Sequence, residues 1–110
     1  MQQRRGFRIA FDIGGCISKY PCQFIQLIEM LSLSGVEIFI ITDMHDQVEV
    51  ERQLDENGFI PLIDPVNVYC ADYEKYGEFC KAVLIRELGI DIFIDDFAGY
   101  TQWDSQLGEA

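Results

Sequence analysis

The chain is poor in basic residues. Eight lysines and arginines stand against nineteen aspartates and glutamates, for a formal net charge of −11. A surface of that sign repels phosphate backbones, which argues against nucleic-acid binding through a broad basic face. Histidine is almost missing: His45 is the single one, and the four cysteines, Cys16, Cys22, Cys70 and Cys80, show no CxxC spacing. Such a set makes a poor zinc site, and free thiols in a reducing cytoplasm are the expectation. No apolar run approaches the roughly 18 residues of a membrane helix, so no membrane span is expected. The opening MQQRRGFRIAF is basic and then apolar, as a secretory signal would be. Its apolar part is short, however, and runs into Asp12 with no small-residue cleavage site behind it, so it reads as a basic lead-in to a first strand. Repeats, low-complexity tracts and linkers are also lacking.

What is present suffices for one core. Hydrophobic residues make up 49% of the 110 and charged residues 25%, the balance of one globular domain over residues 1–110. A first strand is expected at about Phe7 to Asp12. Pro21 suits the first turn of a helix, on which Phe24, Leu27, Ile28, Leu31 and also Ile25 fall at helical spacing, with Gly35 at its end. A second strand follows over Val36 to Ile41. Asp46 is placed to cap a helix from Gln47 to Asn57, stopped by Gly58. That helix has a thin apolar face (Val48, Val50, Leu54) and a solvated acidic one (Glu49, Glu51, Asp55, Glu56). A short strand within Val66 to Cys70 comes after a loop bounded by Pro61 and Pro65. A third helix is expected from Tyr76 to Leu88, with Phe79, Val83, Leu84 and Leu88 partly inward and Gly89 at its end. The last strand runs from Asp91 to Ile94 or Asp95. The acidic tail, Phe97 to Ala110, is less regular; Trp103 is its one candidate for packing back, and a fifth strand stays open. The alternation of strand and helix predicts an α/β fold with a parallel sheet and right-handed crossovers.

Three of the strands end alike. FRIAF ends on Asp12, followed by two glycines that fit a tight turn; IFIITD ends on Thr42 and Asp43; IFIDD ends on Asp95 and Asp96. Ligands of open parallel sheets bind at the carboxyl edge, so three oxygen-bearing strand ends suggest one shared site. Each residue also has a plain structural reading. The acidic pair would serve as a strand-end turn and helix cap, Thr42 as a loop residue capping the next helix, and Lys81 as a solvated lysine. Adjacent carboxylates ending a buried run are costly without a cation, which favours a metal for the pair.

Over about residues 7–100 the chain resembles the haloacid dehalogenase superfamily, most of whose members are phosphatases. That family has a strand ending in DxDG[TV], a second ending in Thr or Ser, a lysine at the start of a helix, and a last strand ending in acidic residues. Here these positions hold Asp12-Ile13-Gly14-Gly15-Cys16, Thr42, Lys81 and Asp95-Asp96. The resemblance implies a three-layer Rossmann-like fold around a central parallel sheet. The loop Ile13–Tyr20 is too short for a cap domain. It implies Asp12 as the nucleophile that forms an aspartyl-phosphate. Mg²⁺ would be held by Asp12, the Gly14 carbonyl and Asp95 or Asp96. Thr42 would donate to a phosphate oxygen, Lys81 would neutralise charge, and the Gly14 and Gly15 turn with Asp43 would complete the phosphate site. Lys75 competes with Lys81, which is preferred because it opens the helix before the last strand; Arg86 is expected at the surface.

One departure stands out. The family's phosphatases carry a second aspartate two residues after the nucleophile, which protonates the leaving group and then activates water. This chain has Gly14 there. Losing a general acid–base typically costs about 10²–10⁴ in rate, and good leaving groups lose less. His45 and Asp46 are the nearest substitutes, while Cys16 is expected to pack. The resulting expectation is a weak or specialised Mg²⁺-dependent phosphohydrolase of the cytoplasm, acting on a small phosphorylated molecule or a phosphoprotein. The alternative is a pseudo-enzyme that serves as a binding or regulatory module. A receiver-like phospho-acceptor ranks third, because its acidic pair belongs at the first strand and here it comes last. A capless site would be open to large substrates, to a covering partner, or to a second copy in a homo-oligomer.

Overall fold

Four short apolar runs become strands because each has two faces to bury, as in a parallel sheet covered on both sides. The computed structural model describes residues 6–95; the expectations for Asp96, Trp103 and a fifth strand fall outside them. The strands are β1 (Arg8–Phe11), β2 (Glu37–Thr42), β3 (Val68–Cys70) and β4 (Ile92–Ile94). They pair in the order β3-β2-β1-β4, all parallel. The helices are α1 (Pro21–Leu33), α2 (Gln47–Glu56), the single turn α3 (Tyr73–Tyr76) and α4 (Cys80–Leu88). None of the described helices is long and apolar enough to cross a membrane.

Side chains alternate across the sheet. Ile9, Phe11, Ile38 and Ile40 join Ile28 of α1 and Val50 and Leu54 of α2 in one buried cluster. Ala10, Phe39 and Ile41 face the other way, against Leu84, Ile85 and Leu88 of α4. The sheet therefore lies between α1 and α2 on one side and α4 on the other. Segment 13–20 is one wide turn leading into α1, with no inserted domain.

Several expectations shift. Phe7 is exposed and β1 starts after it, while β2 runs one residue further and takes in Thr42. Leu27 and Val48 point outward, because their neighbours Ile28 and Val50 occupy the sheet-facing stripe. The helix expected over Tyr76 to Leu88 is broken. Asp72 starts α3 by accepting from the Lys75 N–H at 3.0 Å. Gly77 then takes φ 62°, ψ −139°, a conformation that glycine reaches without strain. The chain restarts at Cys80, and Phe79, expected partly inward, is 73% exposed.

Asp46 does cap α2. Its carboxylate accepts from the N–H groups of Val48 (3.1 Å) and Glu49 (3.2 Å). Asp46→Ala is expected to lower stability by about 1 kcal/mol, readable as a shifted denaturation midpoint with an unchanged slope. An unchanged midpoint would show that the cap carries no energy.

Candidate functional site

The chain builds β1, β2 and β3 outward in one direction and then returns to place β4 on the other side of β1. The edge between β1 and β4 is thus the point where the order reverses, where loops part and leave a crevice. Phe11 pairs with Ile94, and the Asp12 N–H donates to the Ile94 carbonyl at 3.0 Å. The next residue of each strand is an aspartate, so Asp12 and Asp95 leave the sheet side by side. Lys81, in the first turn of α4, reaches both: its Nζ lies 3.0 Å from Asp12 Oδ1 and 3.4 Å from Asp95 Oδ2. Three residues remote in sequence meet at one point.

Burial sets the electrostatics. Asp12 is 7% exposed. Loss of water raises its pKa from 3.8 to about 6; Lys81 opposes this and Asp95 adds to it. Burial pushes Lys81 down, but the carboxylates of Asp12, Asp95 and Asp43 outweigh it and the net shift is upward. The ammonium therefore stays charged and holds a pair of carboxylates that crowd each other.

Thr42 ends β2 beside this group and is 1% exposed. Its Oγ1 accepts from the Met44 N–H at 3.2 Å, which fixes the hydroxyl and leaves its hydrogen to donate. After Asp12 the backbone makes one wide turn, closed by the Ser18 N–H on the Ile13 carbonyl at 3.0 Å. Gly15 takes φ 69° inside it, so this glycine is demanded by the backbone. Gly14 has an ordinary φ of −65°, and nothing lies within 4 Å of where a Cβ would stand. Cys16 is buried with its Sγ 3.8 Å from the Ile94 carbonyl, a packing role as expected. Cys22, Cys70 and Cys80 are free thiols.

These residues open onto a cleft of about 860 Å³. Asp12, Gly14, Thr42, Asp43, Lys81 and Asp95 all line it; Gly15 and His45 do not. His45 is exposed, and Asp46 is held as a helix cap, so the structure brings neither nearest substitute for the missing acid into the site. Lys75 sits outside the cleft with its Nζ 5.1 Å from the centre of the Tyr76 ring. Arg86 is exposed, as expected. The sequence reading missed Tyr73, Glu78, Phe79 and Ile85 as lining residues. Ile85 lies one helical turn after Lys81, a spacing that signals a shared face; the others follow from the break at Gly77, which the pattern conceals. Among the described residues no three His, Cys, Asp or Glu side chains group as a metal site. The chain matches no protein-family model, no curated protein and no solved structure.

Proposed function

We propose that this chain is a small, capless, Mg²⁺-dependent phosphohydrolase of the haloacid dehalogenase type, acting through an aspartyl-phosphate on Asp12. The observation that supports it is the meeting of Asp12 and Asp95 on one lysine Nζ, at 3.0 and 3.4 Å, where the order of the parallel strands reverses. Mg²⁺ is commonly held by one or two carboxylates with water completing its shell, and Asp12 and Asp95 offer that donor set. The Gly14 carbonyl and Asp96 are the further ligands of this proposal. The ion, when bound, supplies positive charge between the carboxylate and the phosphate dianion.

The remaining steps belong to the chain. An Asp12 oxygen attacks phosphorus, Thr42 donates its hydroxyl hydrogen to a phosphate oxygen, and Lys81 balances the charge that gathers there. Gly14 offers no proton, so leaving groups that need one depart slowly. The same feature supports the second reading, a binding module on this fold.

Release of phenol from an aryl phosphate in the presence of Mg²⁺ tests the proposal. Turnover is expected, and Asp12→Asn is expected to abolish it. Absence of turnover, with Mg²⁺ still raising the melting temperature, would replace the enzyme by the module.

A further inference from the structure

We infer that the cleft beside Asp12 selects aryl phosphate monoesters, an inference that rests on the phosphohydrolase reading. Two independent observations converge on it. The first is an aromatic wall. Tyr73 and Phe79 line the cleft while 49% and 73% exposed, with Ala82 and Ile85 beside them, on the same segment as Lys81. Single exposed aromatics are ordinary. Two of them on the wall of the cleft onto which Asp12, Lys81 and Asp95 open have the composition of a ligand pocket, and the cleft's size is in the usual range. The break at Gly77 is what sends Phe79 to this wall instead of the core.

The second observation is Gly14. Without an acid two residues after Asp12, the leaving oxygen is offered no proton from that position. Phenols have a pKa of about 10, so phenolate leaves readily. An alkoxide resembles hydroxide, whose parent water is a far weaker acid than a phenol, and it does not. The wall alone would accept any apolar group, and the missing acid alone would accept an acyl phosphate. An aryl phosphate satisfies both. Asp43 and Glu78 also line the cleft. They repel a second anionic group, so the favoured ring carries no further phosphate or carboxylate.

The reaction balances with water as the one co-reactant. An Asp12 oxygen bonds to phosphorus, and the aryl oxygen leaves with the bonding pair as phenolate, which takes a proton from solvent. A water oxygen then bonds to phosphorus. The bond between phosphorus and Asp12 breaks, the carboxylate is restored, and dihydrogen phosphate leaves with both protons of that water.

The test compares phenyl phosphate, acetyl phosphate and glycerol phosphate with the full chain and Mg²⁺. Phenyl phosphate is expected to exceed glycerol phosphate in kcat/KM by at least about a hundredfold. Phe79→Ala is expected to lower kcat/KM for phenyl phosphate about 2- to 10-fold more than for acetyl phosphate, mostly through KM. Tyr73→Ala serves as a second variant with the same expectation. A tyrosine-phosphorylated peptide separates the two sources of the ring: faster turnover than phenyl phosphate assigns a protein side chain, slower turnover a free aryl ester, and either keeps the class. Turnover of acetyl phosphate without preference for the ring, or equal loss on both substrates in both variants, overturns the inference and leaves the phosphohydrolase standing. No turnover of any of them overturns both.

Discussion

Gly14→Asp is expected to raise turnover of an alkyl phosphate by about 10²–10⁴, the range that a positioned general acid supplies. The backbone permits it: φ is −65° and ψ 128°, values any L-residue adopts. Space permits it too, since no atom lies within 4 Å of the added Cβ and the position faces the cleft. The new carboxyl would stand two residues from Asp12, where a proton for the leaving oxygen is missing. Aryl phosphates are expected to gain far less, because phenolate needs no proton to leave. The measurement is kcat for an alkyl and an aryl substrate in both proteins, with Mg²⁺ binding and folding checked in each. A folded, Mg²⁺-binding variant that gains nothing on the alkyl substrate would sink the idea of a phosphatase lacking only its acid. The neighbouring position offers no such experiment: Gly15 has φ 69°, and a side chain there adds strain to whatever it supplies.

The strand ends were legible because an apolar run that stops on a carboxylate is a local pattern. Asp12, Thr42 and Asp95 needed no tertiary information to be singled out, and parallel order follows from the alternation of elements. Their convergence needed the sheet order, which periodicity does not contain; the rule that ligands bind at the carboxyl edge of a parallel sheet supplied that expectation, and the resemblance supplied Lys81. Helix faces were legible to within one residue. Leu27 and Ile28 are about 100° apart on α1, and the sheet chose Ile28. Thr42 fell inside β2 because a β-branched residue suits a buried strand as well as a loop. The break at Gly77 was hidden because helical spacing can be counted through a glycine that the backbone uses to turn. That concealment also hid the aromatic wall.

Asp12→Asn is expected to be more stable than the parent chain at pH 7 and equal to it at pH 4, in buffer freed of divalent cations. The sign follows from the shift. Burial, with Asp95 adding to it, raises the folded-state pKa of Asp12 from 3.8 to about 6. The folded chain thus holds this proton more tightly than the unfolded one. Its contribution is fully present below pH 3.8 and is lost as pH rises through 6. Asparagine mimics the protonated form and escapes the loss. Two pKa units correspond to about 3 kcal/mol at most. The attraction of Lys81 is already contained in that shift, so the expected gain is at most about 3 kcal/mol, or several degrees in melting temperature. Lys81 does not confuse the reading: its pKa is raised above 10.5, so its own contribution is lost only at alkaline pH. Melting curves at pH 4, 5, 6 and 7 decide the matter. A variant destabilised equally at all four would mean that Asp12 is a structural ion-pair partner and not a strained, reactive carboxylate. Added Mg²⁺ should then reverse the order at pH 7, because an ion that binds the folded parent stabilises it by mass action and the variant lacks a ligand for it. A residue whose removal stabilises the bare fold and ends its chemistry is held in place for function at the expense of stability.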